Sequence, residues 1–263
     1  MKTQIKLLST FKIYVLTALL VTLQLFSGTK SANAQNMPVK NIVLVHGAFA
    51  DGSGWKSVYD ILTKKGYHVS IVQNPLTSLK ADVDATNSVI DAQDGPVILV
   101  GHSWGGAVIT EAGVNPKVAG LVYIAAFMPD KGETAGQWVS AAPAAPESGF
   151  TKPDQFGLVY FDPAKFHGGF TGDLTKAQSD FMRDSQVPII GHCFEEPVGQ
   201  VAWKTKPSYG IVPTEDKALN PNTERAMYKR ANAKITEIKG SHVIFISQPD
   251  AVAKVIMDAS AIK

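Results

Sequence analysis

The chain has 263 residues, 45% of them hydrophobic, and a formal net charge of +2. The first 34 residues hold four lysines and no acid, so the remainder carries 25 − 4 = 21 basic against 23 acidic side chains, a balance of −2 that leaves no electrostatic footprint for nucleic acid. The single cysteine, Cys193, excludes an intrachain disulfide, and the fold must stand on its core.

At the start of the chain, Lys2, Lys6 and Lys12 precede an apolar run from about Ile13 to Phe26, and Ala32-Asn33-Ala34 follows as a small-x-small cleavage site. This is the pattern of a signal peptide over residues 1–34, and the expected location is the periplasm or the medium. The run is shorter than the ~20 apolar residues of a spanning helix. No cysteine stands near the cleavage site to take a lipid, so no stable membrane anchor is expected after cleavage. Residues 35–263 then have the size of one α/β domain with an insertion.

From Asn41 onward apolar runs alternate with helix-like segments. The pattern predicts strands over 41–46, 67–72, 97–100, 118–125, 208–213 and 234–238, with helices over 55–65, 79–92, 107–114, 222–231 and 249–262. Such alternation implies a parallel sheet flanked by helices on both faces. Between about 129 and 206 the alternation dissolves into Pro, Gly and aromatic residues, with one helix near 175–185, and this stretch reads as an insertion.

The chemistry begins at Val97-Ile98-Leu99-Val100-Gly101-His102-Ser103-Trp104-Gly105-Gly106, an apolar strand running straight into Gly-x-Ser-x-Gly and then a helix. The motif alone arises by chance in about one chain of this length in ten. Its place between strand and helix is what makes Ser103 a candidate nucleophile, lifted out of the sheet on a sharp elbow. Glycines at 101 and 105 are required there because strand and helix approach too closely for side chains.

A serine hydroxyl needs a base, and an imidazole base needs an acid to hold its tautomer. With an elbow of this kind the partners follow in the order serine, acid, histidine. His46 and His68 precede the serine, His102 lies inside the elbow, and His167 and His192 fall in the insertion, which leaves His242 in Gly240-Ser241-His242-Val243. The acid should leave the carboxyl end of the preceding strand, where open α/β sheets place their sites. Glu215 and Asp216 stand there side by side; Asp216, shorter and one residue further round the turn, fits better. An oxyanion needs preorganised donors, expected from the backbone N–H of Trp104 and of Ala48 in the loop after the first strand. His46 is expected to pack and hydrogen-bond beneath this site without performing chemistry.

Val43-Leu44-Val45-His46-Gly47-Ala48-Phe49, Gly101-His102-Ser103-Trp104-Gly105-Gly106, Thr214-Glu215-Asp216 and Gly240-Ser241-His242, with Trp55 and Ser247-Gln248-Pro249, together resemble the α/β-hydrolase superfamily. The likeness is to its compact branch of plant methylesterases, hydroxynitrile lyases and bacterial serine esterases. It implies an α/β-hydrolase fold with a roughly six-stranded, mainly parallel sheet, a small cap at about 129–206, and no metal or organic cofactor. It also implies ester hydrolysis through an acyl-enzyme. Hydroxynitrile lyases of this fold carry a lysine after the catalytic histidine and a threonine after the first-strand histidine. Here those positions are Val243 and Gly47, which favours hydrolysis over cyanohydrin cleavage.

The expected partner is a small ester, bound by a monomer or homodimer, with Phe49, Trp138, Phe161 and Phe194 as candidate contacts in an apolar pocket. His192, Cys193, Glu195 and Glu196 match no strong zinc spacing. Two alternatives share this machinery: another acyl or carbon–carbon hydrolase, and a slow-turnover ligand-binding member of the fold. Neither is separated from an esterase by the motifs, because specificity resides in the pocket.

Overall fold

The computed structural model describes residues 38–261; the segment read as a signal peptide lies outside them. The first half runs β1 (Asn41–Val45), α1 (Lys56–Lys64), β2 (His68–Val72), α2 (Leu79–Asp91), β3 (Val97–His102), α3 (Gly105–Ala112) and β4 (Val118–Ile124). The insertion contributes α4 (Ala135–Val139), β5 (Leu158–Val159), α5 (Phe166–Gly169), α6 (Lys176–Asp184) and β6 (Ile189–Ile190). The chain then returns through β7 (Ser208–Pro213), α7 (Pro221–Arg230), β8 (Lys234–Ile238), α8 (Ile244–Ser247) and α9 (Pro249–Ser260).

Six strands form one parallel sheet in the order β2-β1-β3-β4-β7-β8. Every residue of β1 and β3 is buried, which is why both read as unbroken apolar runs without alternation. β8, Lys-Ile-Thr-Glu-Ile, has no buried residue, as suits a sheet edge that must not recruit another strand. The pairs α1–α9 and α2–α3 pack together and flank the sheet. Among the described residues no helix is long and apolar enough to cross a membrane.

The expected strands and main helices form within a few residues of their predicted bounds. The departures lie where elements are short. β5 and β6 make an antiparallel two-stranded sheet of two residues each, and α4, α5 and α8 have four or five. Such lengths cannot display a 2.0 or 3.6 period, so periodicity gives no sign of them. α6, nine residues long, is the exception in the cap; it opens on a reciprocal capping box of Thr175 and Gln178, as does the shorter α4 on Thr134 and Gln137.

Candidate active site

β3 ends at His102 and α3 begins at Gly105, so the chain must reverse within two residues, and it does so with Ser103 at φ +51°. A non-glycine residue in this left-handed region is strained by about 1–3 kcal/mol and persists only where its surroundings over-determine it. Here Ser103 N–H donates to Ile124 O at 3.2 Å, while Ser103 O accepts from Gly106 N at 2.9 Å and Phe127 N at 3.2 Å. A Cβ at Gly105 would stand 2.8 Å from the carbonyl oxygens of both Val45 and His46, and one at Gly101 only 2.5 Å from Gly105 O. The elbow is therefore as tight as the motif predicts.

β7 and β8 bring the other two side chains to the same end of the sheet. His242, on the loop after β8, points Nδ1 at Asp216 Oδ2 at 2.5 Å, and both side chains are buried. Asp216 Oδ1 accepts from Ala218 N at 2.8 Å and Leu219 N at 2.9 Å, which fixes the carboxylate on the turn after β7. Its neighbour Glu215 points out to solvent, 3.6 Å from Lys239 Nζ. The His242 loop is tied to the elbow itself: His102 Nε2–H donates to His242 O at 3.0 Å, and the two imidazole rings lie 4.8 Å apart. Burial holds His102 far below the usual histidine range, so it stays neutral and serves as a strut. Among the described residues neither Ser103 Oγ nor His242 Nε2 takes a hydrogen bond, from each other or from a third group. Such bonds are often long in unliganded enzymes and tighten when substrate binds.

The loop after β1 lies against the elbow, since a Cβ on Gly47 would approach Ser103 Cβ to 2.7 Å. His46 braces this loop: its Nδ1–H donates to Gly47 O at 2.8 Å and its Nε2 accepts from Asn74 N at 2.9 Å. Burial also lowers the His46 pKa, which suits this neutral structural pairing. Ala48 and Trp104 are buried, and neither of their backbone N–H groups finds an acceptor among the described residues. The next residue, Phe49, has φ +63° and donates its N–H to Val187 O of the cap at 3.0 Å.

Of the four aromatic side chains expected at the substrate, three gather here. Phe49 packs edge-on against Phe150, Phe161 and Phe170, and Phe170 in turn lies 4.9 Å from the His242 ring. Phe194 meets Trp104 at 5.6 Å and Phe150 at 6.0 Å. Trp138 does not join them: its Nε1–H donates to Glu133 Oε2 at 2.9 Å, and the Arg230 guanidinium stacks 4.9 Å from its ring centroid. A mainly apolar groove of about 430 Å³ is lined by Phe150 and Phe194 and walled by α4 and the two-stranded β5–β6 sheet, with Val139, Val159 and Ile190 in its lining. Cys193 is buried with Sγ toward Leu76 O, while His192 and Glu195 face solvent, so these residues do not converge on a metal.

Three carboxylates escaped the sequence reading. Asp82, on α2, accepts from Trp104 Nε1 at 2.7 Å and Leu76 N at 2.8 Å. Burial raises its pKa to about 6 against the lowering effect of those two bonds. Asp173, in the cap, accepts from Ser241 N at 2.9 Å, from Ser241 Oγ, and from Ser247 Oγ at 2.6 Å, holding both sides of the His242 loop. Glu224, on α7, is wholly buried beside Asp216. Nothing in the sequence marks the first two, but Glu224 follows Pro221 in a first helical turn near the acid, a weak positional signal.

Residues 42–255 match the alpha/beta hydrolase family. Over 108 residues the chain is 34% identical to a carbendazim hydrolyzing esterase of Nocardioides sp.; that match covers 36% of this chain and 45% of the relative, less than half its length. A putative methylesterase 14, chloroplastic, of Arabidopsis thaliana is 25% identical over 261 residues, covering 87% of this chain and 74% of the relative. The solved structure of a pyrethroid hydrolase superposes with a TM-score of 0.74 at 24% identity, over 84% of this chain and 96% of that one. Because the family match runs from β1 into α9 and so takes in the whole parallel sheet, the chain belongs to the alpha/beta hydrolase family.

Proposed function

We propose that this protein is an exported serine carboxylesterase in which Ser103, His242 and Asp216 form the catalytic triad. The observation that carries the reading is the His242–Asp216 pair, bonded at 2.5 Å and tied through His102 to the strained elbow that holds Ser103. In the first step His242 Nε2 takes the Ser103 proton as Oγ attacks the ester carbonyl. Asp216 keeps Nδ1 protonated and stabilises the imidazolium. The N–H groups of Ala48 and Trp104 receive the oxyanion, and His242 then protonates the leaving alcohol. Water activated by the same imidazole releases the acid and restores the enzyme.

The groove lined by Phe150 and Phe194 supports a substrate with a bulky apolar acyl or alcohol part, its ester threaded between Phe49 and Phe194 toward Ser103. Purified enzyme assayed on short-chain, aryl and bulky esters, with lactones, amides and mandelonitrile alongside, tests both class and preference. Bulky apolar esters should lead, and Ser103→Ala should lower turnover by about 10⁴ to 10⁶. A Ser103→Ala protein with undiminished turnover overturns the mechanism. Asp216→Asn should cost about 10⁴ through the wrong imidazole tautomer, whereas Glu215→Gln, altering a solvent-facing group, should leave the rate within about twofold. Export is tested by the mass of the protein recovered outside the cytoplasm, which should correspond to a chain beginning at Gln35.

A further inference from the structure

The triad acid has a second carboxyl behind it. Glu224 lies in the first turn of α7 with its side chain fully buried, and neither Oε1 nor Oε2 has a hydrogen-bond partner when both are treated as acceptors. An orphaned, buried carboxylate costs several kcal/mol. The helix N-terminus does not answer this cost, since the turn is capped by Asn220 Oδ1 accepting from Asn222 N at 2.9 Å and by backbone bonds to Asn220 O.

The groups that face Glu224 decide its state. From the turn after β7 comes Asp216, whose carboxyl lies within hydrogen-bonding reach. From α7 itself come Tyr228, whose hydroxyl is committed to the Ala126 backbone, and Arg225. From β8 comes Glu237, which holds Arg225 at the surface through two bonds of 2.9 and 2.8 Å. Tyr123 of β4 is bonded to Thr110. His242 is committed to Asp216. Two carboxyls thus meet in a dry site whose nearest cation is spent elsewhere, the condition under which such a pair keeps one proton. Burial first, and then the Asp216 charge, hold the Glu224 carboxyl well above the usual carboxylate range.

We infer that Glu224 is a positioning residue that stays protonated and donates its O–H to the Asp216 carboxylate. Asp216 then receives a donor from each side in addition to the two backbone N–H groups: His242 Nδ1–H in front and Glu224 O–H behind. With a proton on Glu224 one of its two unpartnered oxygens becomes a donor and the charge is gone, so what remains unpaired is a neutral carbonyl oxygen. The Asp216 charge is spread over more donors, so it holds the His242 imidazole in place while pulling less strongly on its proton. The inference rests on the triad reading for its catalytic meaning, but not for the protonated pair itself.

The test uses the full chain and two variants of similar volume. Glu224→Gln keeps a donor, its amide N–H, without adding charge; Glu224→Leu removes the donor and leaves an apolar filler. The wild-type protein should show an infrared band of a buried protonated carboxyl that Glu224→Gln lacks. Glu224→Leu should lower kcat/KM for an aryl ester about tenfold and move the acid limb of its pH profile upward by about half a unit or more, while Glu224→Gln returns both toward wild type. If Glu224 is instead an anion, no such band exists and Glu224→Gln moves the acid limb to lower pH; either result overturns the inference, as does an unshifted limb in Glu224→Leu. Should Glu224→Leu fail to fold, the band and the Glu224→Gln profile still decide. Failure of the esterase reading itself shows separately, as turnover surviving Ser103→Ala, on which the infrared band does not depend.

Discussion

Ser103 holds a backbone conformation that its own side chain disfavours; the glycines that permit it were visible in the sequence, and the Ile124 and Phe127 backbone bonds that hold it were not. The flanking glycines are demanded by contacts of 2.5 and 2.8 Å that any Cβ would make, so their pattern is a direct imprint of the elbow. The choice between Glu215 and Asp216 was not imprinted in this way. It depends on which side of one turn faces inward: the Ala218 and Leu219 N–H groups hold the Asp216 carboxylate toward His242, while Glu215 faces solvent. Asp82 was invisible because its role is set by two donors outside its own helix, the Trp104 indole 22 residues on and the Leu76 N–H six residues before it. Its pKa, raised to about 6 chiefly by burial, has a consequence for stability. The folded state keeps a proton on Asp82 that the unfolded chain has already lost above about pH 4, so this stabilisation is complete at lower pH and is lost as pH rises through 6. Over about two pH units at 1.36 kcal/mol each, the loss is about 3 kcal/mol. Denaturant melts of wild type and Asp82→Asn at pH 4 and pH 7 should therefore show the variant gaining relative to wild type at the higher pH. A constant difference between the two would mean that Asp82 does not titrate in this window.

The elements divide into those whose burial pattern is written along the chain and those that exist only through contacts. β1 and β3, buried on both faces, had to be apolar throughout and were legible at once. The antiparallel β5–β6 pair and α8 are held by tertiary contacts and not by their own periodicity, so the cap could be located but not drawn. The same is true of how the cap engages the His242 loop. Asp173 accepts from the residue directly before His242 and from Ser247 at the end of α8, bracketing the histidine between two anchors. Charge-assisted bonds of this kind contribute about 1.5–3 kcal/mol when protected and less where water competes, as at the exposed Asp173. Asp173→Ala should therefore lower kcat roughly fivefold together with a fall in Tm, and Ser247→Ala, which loosens only one anchor, should do less. If Asp173→Ala lowers Tm but leaves kcat intact, the latch serves stability alone.

At the scale of the molecule the site is closed. Ser103 is 8% exposed and His242 2%, and neither lines the groove that suits an apolar substrate, whose wall includes Phe150 and Phe194. Passage of a substrate from this groove to Ser103 would then require the cap to move against the sheet. Cys193 is placed to report that movement. It sits in the cap, fully buried, with Sγ 3.8 Å from Leu76 O on the sheet side, and burial pushes its thiol up to about 12. At pH 8 the closed protein then exposes a thiolate fraction of about 10⁻⁴, so a disulfide reagent such as DTNB modifies Cys193 only through opening. Opening free energies range from near zero for mobile segments to the full unfolding value for the core. If the cap opens apart from the sheet, labelling of native protein should run faster than global unfolding followed by tryptophan fluorescence. A phosphonate bound covalently at Ser103 should slow it. Labelling that merely tracks global unfolding, whether or not the site is occupied, would make cap and sheet one cooperative unit and require a different route for the substrate.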